Sequence, residues 1–370
     1  MDFDKKVFIA PKERILEKYC VSTKTATYQN RQQDTQLQRA NQIEIYKIIQ
    51  HLSLYFLHIA LQHCECRSHP AARRSQKKDI ELYNQYKAIS AIESLKIAAE
   101  GGDDEALYYL GEALRKNNRF MTPEAKKAYE SSAKKGNVYS MIRLGRIEDD
   151  LCSTMKNCPP GEDSPSSLVI KAKSLAIQRS TQGDSESMYL LYEMTGNDDW
   201  LEKSAENGFA LAQFRLATKY QEGGGTFLLS SRRSEAIEKW MKASAENGYP
   251  PGMMGFAAAR IKKNDLSSFR FWNEKAATLS YVSGVFGYAS YIGGIEPTYG
   301  FQSDSVKSYA LLTNLLELDG GGNVINNVND TLPEVEKTMS KEQVAEAKKL
   351  AKTCKSTHPP LSFYPDKLGY

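Results

Sequence analysis

The densest group of side chains able to do chemistry is the stretch from His63 to His69, where His63, Cys64, Cys66 and His69 set two imidazoles and two thiols within seven residues. These are soft ligands for zinc. Paired zinc cysteines usually stand two to four residues apart, so that both thiolates reach one tetrahedral ion, and Cys-x-Cys is tighter than that. No second ligand pair follows at a suitable distance, and Cys354 and His358 are remote in sequence. The pattern favours a helix end with incidental thiols and imidazoles over a metal site, and no cofactor is expected. A second pair, Cys152 and Cys158, could close a small disulfide loop, which would restrict the unfolded chain and point to an oxidising compartment. The alternative is two free thiols on a cytosolic loop.

The remaining chemistry is sparse. The sequence holds no Gly-rich phosphate loop ending in Lys-Ser/Thr, no His-Glu-x-x-His, no Gly-x-Ser-x-Gly and no dinucleotide fingerprint. Gly223-Gly-Gly-Thr226 lacks the preceding strand that a phosphate cradle needs, and reads as a loop between helices. Four of the five histidines lie within residues 51–69 and the fifth is His358, which leaves the body of the chain poor in acid–base groups. An enzyme is therefore not expected.

The elements that would position any site come from a repeat. Trp240–Gly248 reads WMKASAENG, Trp200–Gly208 reads WLEKSAENG and Trp272–Ser280 reads WNEKAATLS, so each of the three tryptophans stands eight residues before a Gly or its Ser substitute. Taking Gly102, Gly136, Gly183, Gly208, Gly248 and Ser280 as anchors aligns four columns. Three before the anchor all residues are small; four after it they are again small (Ala106, Ser140, Ser187, Ala212, Gly252, Gly284). Eight after it they are large (Leu110, Leu144, Leu191, Leu216, Phe256, Tyr288), and nine after it they are small except for Tyr192. This is the pattern of a helix hairpin: a first helix stopped by a left-handed residue, then a second helix whose small and large positions share one face. One hairpin cannot bury that face alone, so the units must stack. The tryptophans, Trp240 among them, are expected to be packing residues.

Ala98–Gly111, Lys203–Gln213 and Lys242–Gly248 resemble the Sel-one-like repeat, a relative of the tetratricopeptide repeat abundant in bacteria, and the resemblance covers about residues 88–352. It implies an all-α fold, an α/α superhelical solenoid of about six to seven helix-turn-helix repeats closed by a capping helix. It also implies a protein that works through protein contacts, since bacterial members act as adaptors, regulators, secreted virulence factors and immunity partners of toxins. The expected organisation is an arm at 1–87, the solenoid at 88–330 with an insertion at 150–167, and a capping helix and tail at 331–370. Asn323–Pro333 reads as an ordered loop, and residues 358–365 as an extended tail packed by its aromatics.

Composition fits an ordinary soluble protein, with 41% hydrophobic and 25% charged residues. Residues 1–87 hold 15 Lys+Arg against 9 Asp+Glu and the rest 34 against 36, so the arm is mildly basic and the body near neutral. No dense basic stripe interleaved with aromatics is present, and nucleic acid is not an expected partner. Ile43–Cys66 is apolar but interrupted by His58 and has three readings: a buried helix on the first repeat, a displaced secretion or lipoprotein signal with Cys64 anchored, or an interfacial or partner-binding helix. The compartment follows from that choice, cytoplasmic if Met1 is the start, periplasmic or envelope-anchored if 43–66 is a signal. Membrane association stays open with it. For the protein partner, Tyr108, Tyr109, Tyr189, Tyr220, Tyr281 and Tyr291 are candidate anchors on or beside second helices, tyrosine being common at interfaces.

Overall fold

Each anchor residue is a helix stop. Gly102, Gly136, Gly183, Gly208 and Gly248 have φ of 87°, 93°, 87°, 87° and 86°, and Ser280 takes the same left-handed region at 56°. At every one the anchor N–H donates to the carbonyl three residues back and the next N–H to the carbonyl five back, as in Gly208 to Ala205 (3.1 Å) and Phe209 to Ser204 (3.1 Å). The two bonds satisfy carbonyls that the helix end leaves open and turn the chain directly into the next helix.

The computed structural model describes residues 80–295, 297–318 and 323–369. Contacts divide the chain into residues 1–68 and 69–370, and every described residue lies in the second unit. Sixteen α-helices follow one another among the described residues. The first units are α1 (Ala88–Glu100) with α2 (Asp104–Asn118) and α3 (Pro123–Lys134) with α4 (Val138–Gly145). A 3-10 turn and the short α5 (Leu151–Thr154) lead to α6 (Pro165–Ser180) with α7 (Ser185–Thr195). Then come α8 (Asp198–Glu206) with α9 (Ala210–Gln221), α10 (Ser230–Glu246) with α11 (Pro250–Lys262), and α12 (Leu266–Thr278) with α13 (Val282–Ile292). The array finishes with α14 (Ser305–Leu315), α15 (Val324–Glu336) and α16 (Lys341–Thr357). From α1 to α15 consecutive helices pack on each other except at the short α5, where α4 packs directly on α6, and α16 returns onto α14. The fold is an all-α solenoid of six anchored hairpins, a seventh from α14 and α15, and the closing α16.

The aligned columns form its interior. Leu110, Leu144, Leu191, Leu216, Phe256 and Tyr288 are all buried. A Cβ on Gly252 would stand 2.3 Å from Ser244 Oγ of its own first helix, and one on Gly111 would stand 2.7 Å from the Tyr129 ring of the next unit. The small residue at +4 therefore closes the hairpin, and the small residue at +9 closes the joint between hairpins. A fifth column escaped the sequence reading: Ser132, Ser204 and Ser244, four residues before their anchors, are fully buried and donate to Asp104, Ser185 and Ala210 carbonyls of the preceding second helix at 2.8, 2.6 and 2.7 Å. Ser308 does the same to the Ala289 carbonyl at 2.8 Å.

Four expectations change. Residues 324–336 are helical, because Val324, Val328, Leu332 and Val335 form an apolar stripe that packs inward despite the asparagines and Pro333. That helix runs across the expected boundary at 330/331. Of the tryptophans only Trp272 is buried; Trp200 and Trp240 are half-exposed, with Lys203 and Lys239 ammoniums 4.7 and 4.4 Å from their ring centres. Trp240 still packs, bridging the clusters around Leu216 and Met253. Lastly, residues 361–369 are extended but do far more than pack aromatics.

Candidate protein-binding site

The residues that could receive another chain follow from helix geometry. Positions +4 and +8 of a second helix face the core, so +3, +6 and +7 form a neighbouring strip one turn apart. In the first four units this strip supplies Glu105 and Tyr108 on α2, Tyr139 and Arg143 on α4, Glu186 and Tyr189 on α7, and Arg215 on α9. Segment 361–369, Leu-Ser-Phe-Tyr-Pro-Asp-Lys-Leu-Gly, lies against these groups.

Its contacts read like those of a bound peptide. At one end Ser362 pairs with Tyr281 in an isolated parallel β-bridge: Ser362 N–H donates to the Ser280 carbonyl and Val282 N–H to the Ser362 carbonyl, both at 3.0 Å. Phe363 N–H donates to the Asn84 carbonyl at 2.9 Å, and its ring stacks on Tyr86 at 4.3 Å. The Tyr364 hydroxyl donates to the Leu279 carbonyl at 3.0 Å. In the middle, one Asp366 carboxylate oxygen accepts from the Tyr189 hydroxyl at 2.9 Å and from Arg215 Nη2 at 2.7 Å. Lys367 Nζ stands 3.5 Å from Glu105, 3.7 Å from Glu186 and 4.9 Å from the Tyr139 ring centre. Its carbonyl accepts from the Tyr108 hydroxyl, the Gly369 carbonyl accepts from Arg143 Nη2 at 2.9 Å, and Leu368 is buried in the core of the first units.

Electrostatics keep these donors in place. Burial, reinforced by the Asp366 charge, pushes the Tyr189 phenol far above its ordinary value; burial with Glu112 does the same for Tyr108. Both stay protonated and donate. Behind them Glu112, fully buried, accepts from Arg143 Nε at 2.5 Å and from the Tyr129 hydroxyl at 2.8 Å, which orients the guanidinium toward the segment. Carboxylates and guanidiniums alternate along the strip, so that it offers partners for both signs of charge.

The candidate tyrosines divide. Tyr108, Tyr189 and Tyr281 meet the segment, whereas Tyr109 is buried core, its ring 4.9 Å from Tyr83. Tyr220 bonds Glu202 and packs edge-on to Phe227, and Tyr291 stacks on Phe301, so neither belongs to the strip. Sequence reasoning missed Arg143, Arg215, Glu105 and Glu186; their shared offsets from the anchors are the signal that could have found them. His63, Cys64, Cys66 and His69 lie outside the described residues. Cys152 and Cys158 are joined by a disulfide, with Cys152 fully buried. Gly223–Thr226 is a loop whose Tyr220, Gly224 and Gly225 carbonyls accept from Arg233.

Other clusters offer less. Arg115, Arg119, Arg143 and Arg146 line a cavity of about 230 Å³, but Asp149 and Asp150 share it and Glu112 takes two of the guanidiniums. Cys354 sits one turn before His358 at another cavity of about 240 Å³; burial raises its thiol and the His358 ring bonds its own helix end, so no thiolate is activated. Among the described residues no group of three His, Cys, Asp or Glu is placed to hold a metal ion, and no helix is long and apolar enough to cross a membrane.

No family model matches the sequence, and no curated protein matches it. Solved structures are similar to it. A protective antigen of uropathogenic Escherichia coli, c5321, displaying an SLR fold is 20% identical over 74% of this chain, with a TM-score of 0.43. This chain spans 57% of that protein's length. A Sel1 repeat protein from Oxalobacter formigenes is 15% identical over 71% of this chain and 99% of its own, with a TM-score of 0.36. The C-terminal part of a TPR repeat-containing protein from Cytophaga hutchinsonii is 15% identical over 68% of this chain and 98% of its own, with a TM-score of 0.26.

Proposed function

We propose that the chain is a non-catalytic scaffold that binds a protein partner on the second-helix strip of its repeats, in an adaptor or immunity-type role. The observation that carries this reading is the extended segment 361–369 held along that strip by residues of α2, α4, α7, α9 and α13. Groups spaced one unit apart read successive residues of a chain, which is how a repeat surface gains specificity. A photo-crosslinking amino acid at Phe214, on the strip, and another at exposed Ile97 of α1 provide the test in the native cell. One protein captured stoichiometrically at position 214 and not at 97 is expected; no stoichiometric partner at either would sink the reading.

The Cys152–Cys158 disulfide supports a second element, an oxidising compartment, and with it a secreted or envelope-anchored protein. Thiol labelling of intact cells under denaturing quench decides it. Resistance at both cysteines until reduction is expected, and immediate labelling of both would contradict it.

A further inference from the structure

Segment 361–369 differs from every other part of the array in how it is attached. It belongs to no helix, and residues 358–360, which join it to α16, are all exposed. It could leave without unwinding a hairpin. The ionic partners on the strip lie in the solvent's reach, Arg215 being 46% exposed, Glu105 44% and Glu186 42%, while on the segment Lys367 is 34% exposed and Asp366 11%. Exposed pairs of this kind hold weakly one by one. Leu368 and Ser362 are buried, and the remaining grip is main-chain pairing at Ser362 and Phe363 with single hydrogen bonds from Tyr108, Arg143 and Tyr189 and from Tyr364 to the Leu279 carbonyl. Such a contact set is additive, exchangeable and typical of a ligand, whereas the hairpins are held by continuous buried columns.

The segment also joins units far apart in sequence, from Asn84 and Tyr108 to Ser280 and Val282, through the same strip positions in each early unit. Leu361 and Phe363 also pack on the cluster of the last helices, whereas Asp366 to Gly369 reach only the early units. From the fourth unit onward Phe214, Met254 and Phe286 occupy the +6 position, all half-buried and packed at the edge of the core clusters. The acceptor is thus longer than its occupant.

Resting on the binding reading above, we infer that segment 361–369 is an intramolecular ligand, and that the strip it covers takes in exchange an extended segment of a partner protein with the chemistry of Asp366-Lys367-Leu368: a carboxylate for Tyr189 and Arg215, a cation for Glu105, Glu186 and Tyr139, then a large aliphatic side chain for the pocket of Leu368. A tethered ligand acts at an effective concentration on the order of millimolar. Partner segments must therefore outcompete it, or be held by a second contact such as the apolar continuation at Phe214, Met254 and Phe286. The device keeps weak look-alikes off the strip.

The test uses the full chain and a fluorescent synthetic peptide of residues 361–369, followed by anisotropy. The Asp366→Ala chain, which loosens its own segment and keeps the acceptor intact, is expected to bind the peptide about tenfold or more tighter than the natural chain does. A peptide with the aspartate and lysine exchanged is expected to lose that binding, as is a chain carrying Asp366→Ala together with Arg215→Ala. Should Asp366→Ala fail to fold, a protease site inserted between His358 and Pro359 is cut after folding, and the same peptide is expected to displace the released fragment. No gain in binding by the folded Asp366→Ala chain, no exchange in the cut chain, or equal binding of the exchanged peptide would each overturn the inference. Dimers of the Asp366→Ala chain that trade segments between copies would overturn the partner assignment in favour of a second copy. A partner crosslinked at position 214 alongside failure here would leave the scaffold reading standing and remove only this one.

Discussion

The Glu112 carboxylate has no side-chain exposure and lies 2.5 Å from Arg143 and within reach of the Tyr129, Tyr83 and Arg115 donors. Burying both charges is costly, and the cost is offset because nearly every lone pair is met. Truncating one partner leaves the other stranded: Glu112→Ala is expected to destabilise the chain by about 3–5 kcal/mol in urea denaturation, and a loss under about 1 kcal/mol would show that Arg143 finds water instead. Asp265 is a simpler case. Its carboxylate caps α12 by accepting from Ser268 N–H at 3.1 Å and from Ser267, and these bonds with the Ser268 side chain hold it below the ordinary value of 3.8. A depressed folded value means that the stabilisation is present above the unfolded value and disappears as pH falls through the folded one. Asp265→Ala should therefore melt below the natural chain at neutral pH, with the gap closing in acid below the ordinary carboxylate range. A gap independent of pH would assign the effect to packing.

At the scale of elements, the helix stops were legible because left-handed residues carry a composition signal. Ser280 is the informative exception, since it holds φ of 56° where five other units use glycine. Ser280→Gly is expected to stabilise by about 0.5–1 kcal/mol, from relief of that backbone conformation less the added freedom of the unfolded chain, as read from the thermal midpoint. Destabilisation would show that the buried Ser280 side chain holds the β-bridge to Ser362. The core columns were legible for the same reason, since periodic positions outvote local composition. Helix α15 was not, because Asn326, Asn327, Asn329 and Pro333 hide the stripe of Val324, Val328, Leu332 and Val335, and packing overrides propensity there. In the insertion, the disulfide closes a loop of sequence separation 6 around fully buried Cys152. Reduction is expected to cost about 2 kcal/mol, judged by urea midpoints with and without reductant; unchanged midpoints would mean that the loop is held without it.

For the whole molecule, the solenoid was legible and the candidate site only half so. The strip could be found by extending the anchor offsets to +3, +6 and +7, and three of the six candidate tyrosines already lay on the segment's path. Its occupant could not be found. Nothing in nine residues names groups as remote as Tyr108 is from Lys367, 259 positions away, because that match exists only once the hairpins are stacked. Binding and exchange both descend from one arrangement, the segment lying along the second helices. Hydrogen–deuterium exchange of the full chain measures it directly. Amides of 362–369 are expected to exchange about tenfold or more slowly than in the free 361–369 peptide, and to speed up in Arg215→Ala while α1 to α4 stay protected. Exchange of that stretch at the free-peptide rate in the natural chain would contradict the arrangement on which the functional reading stands.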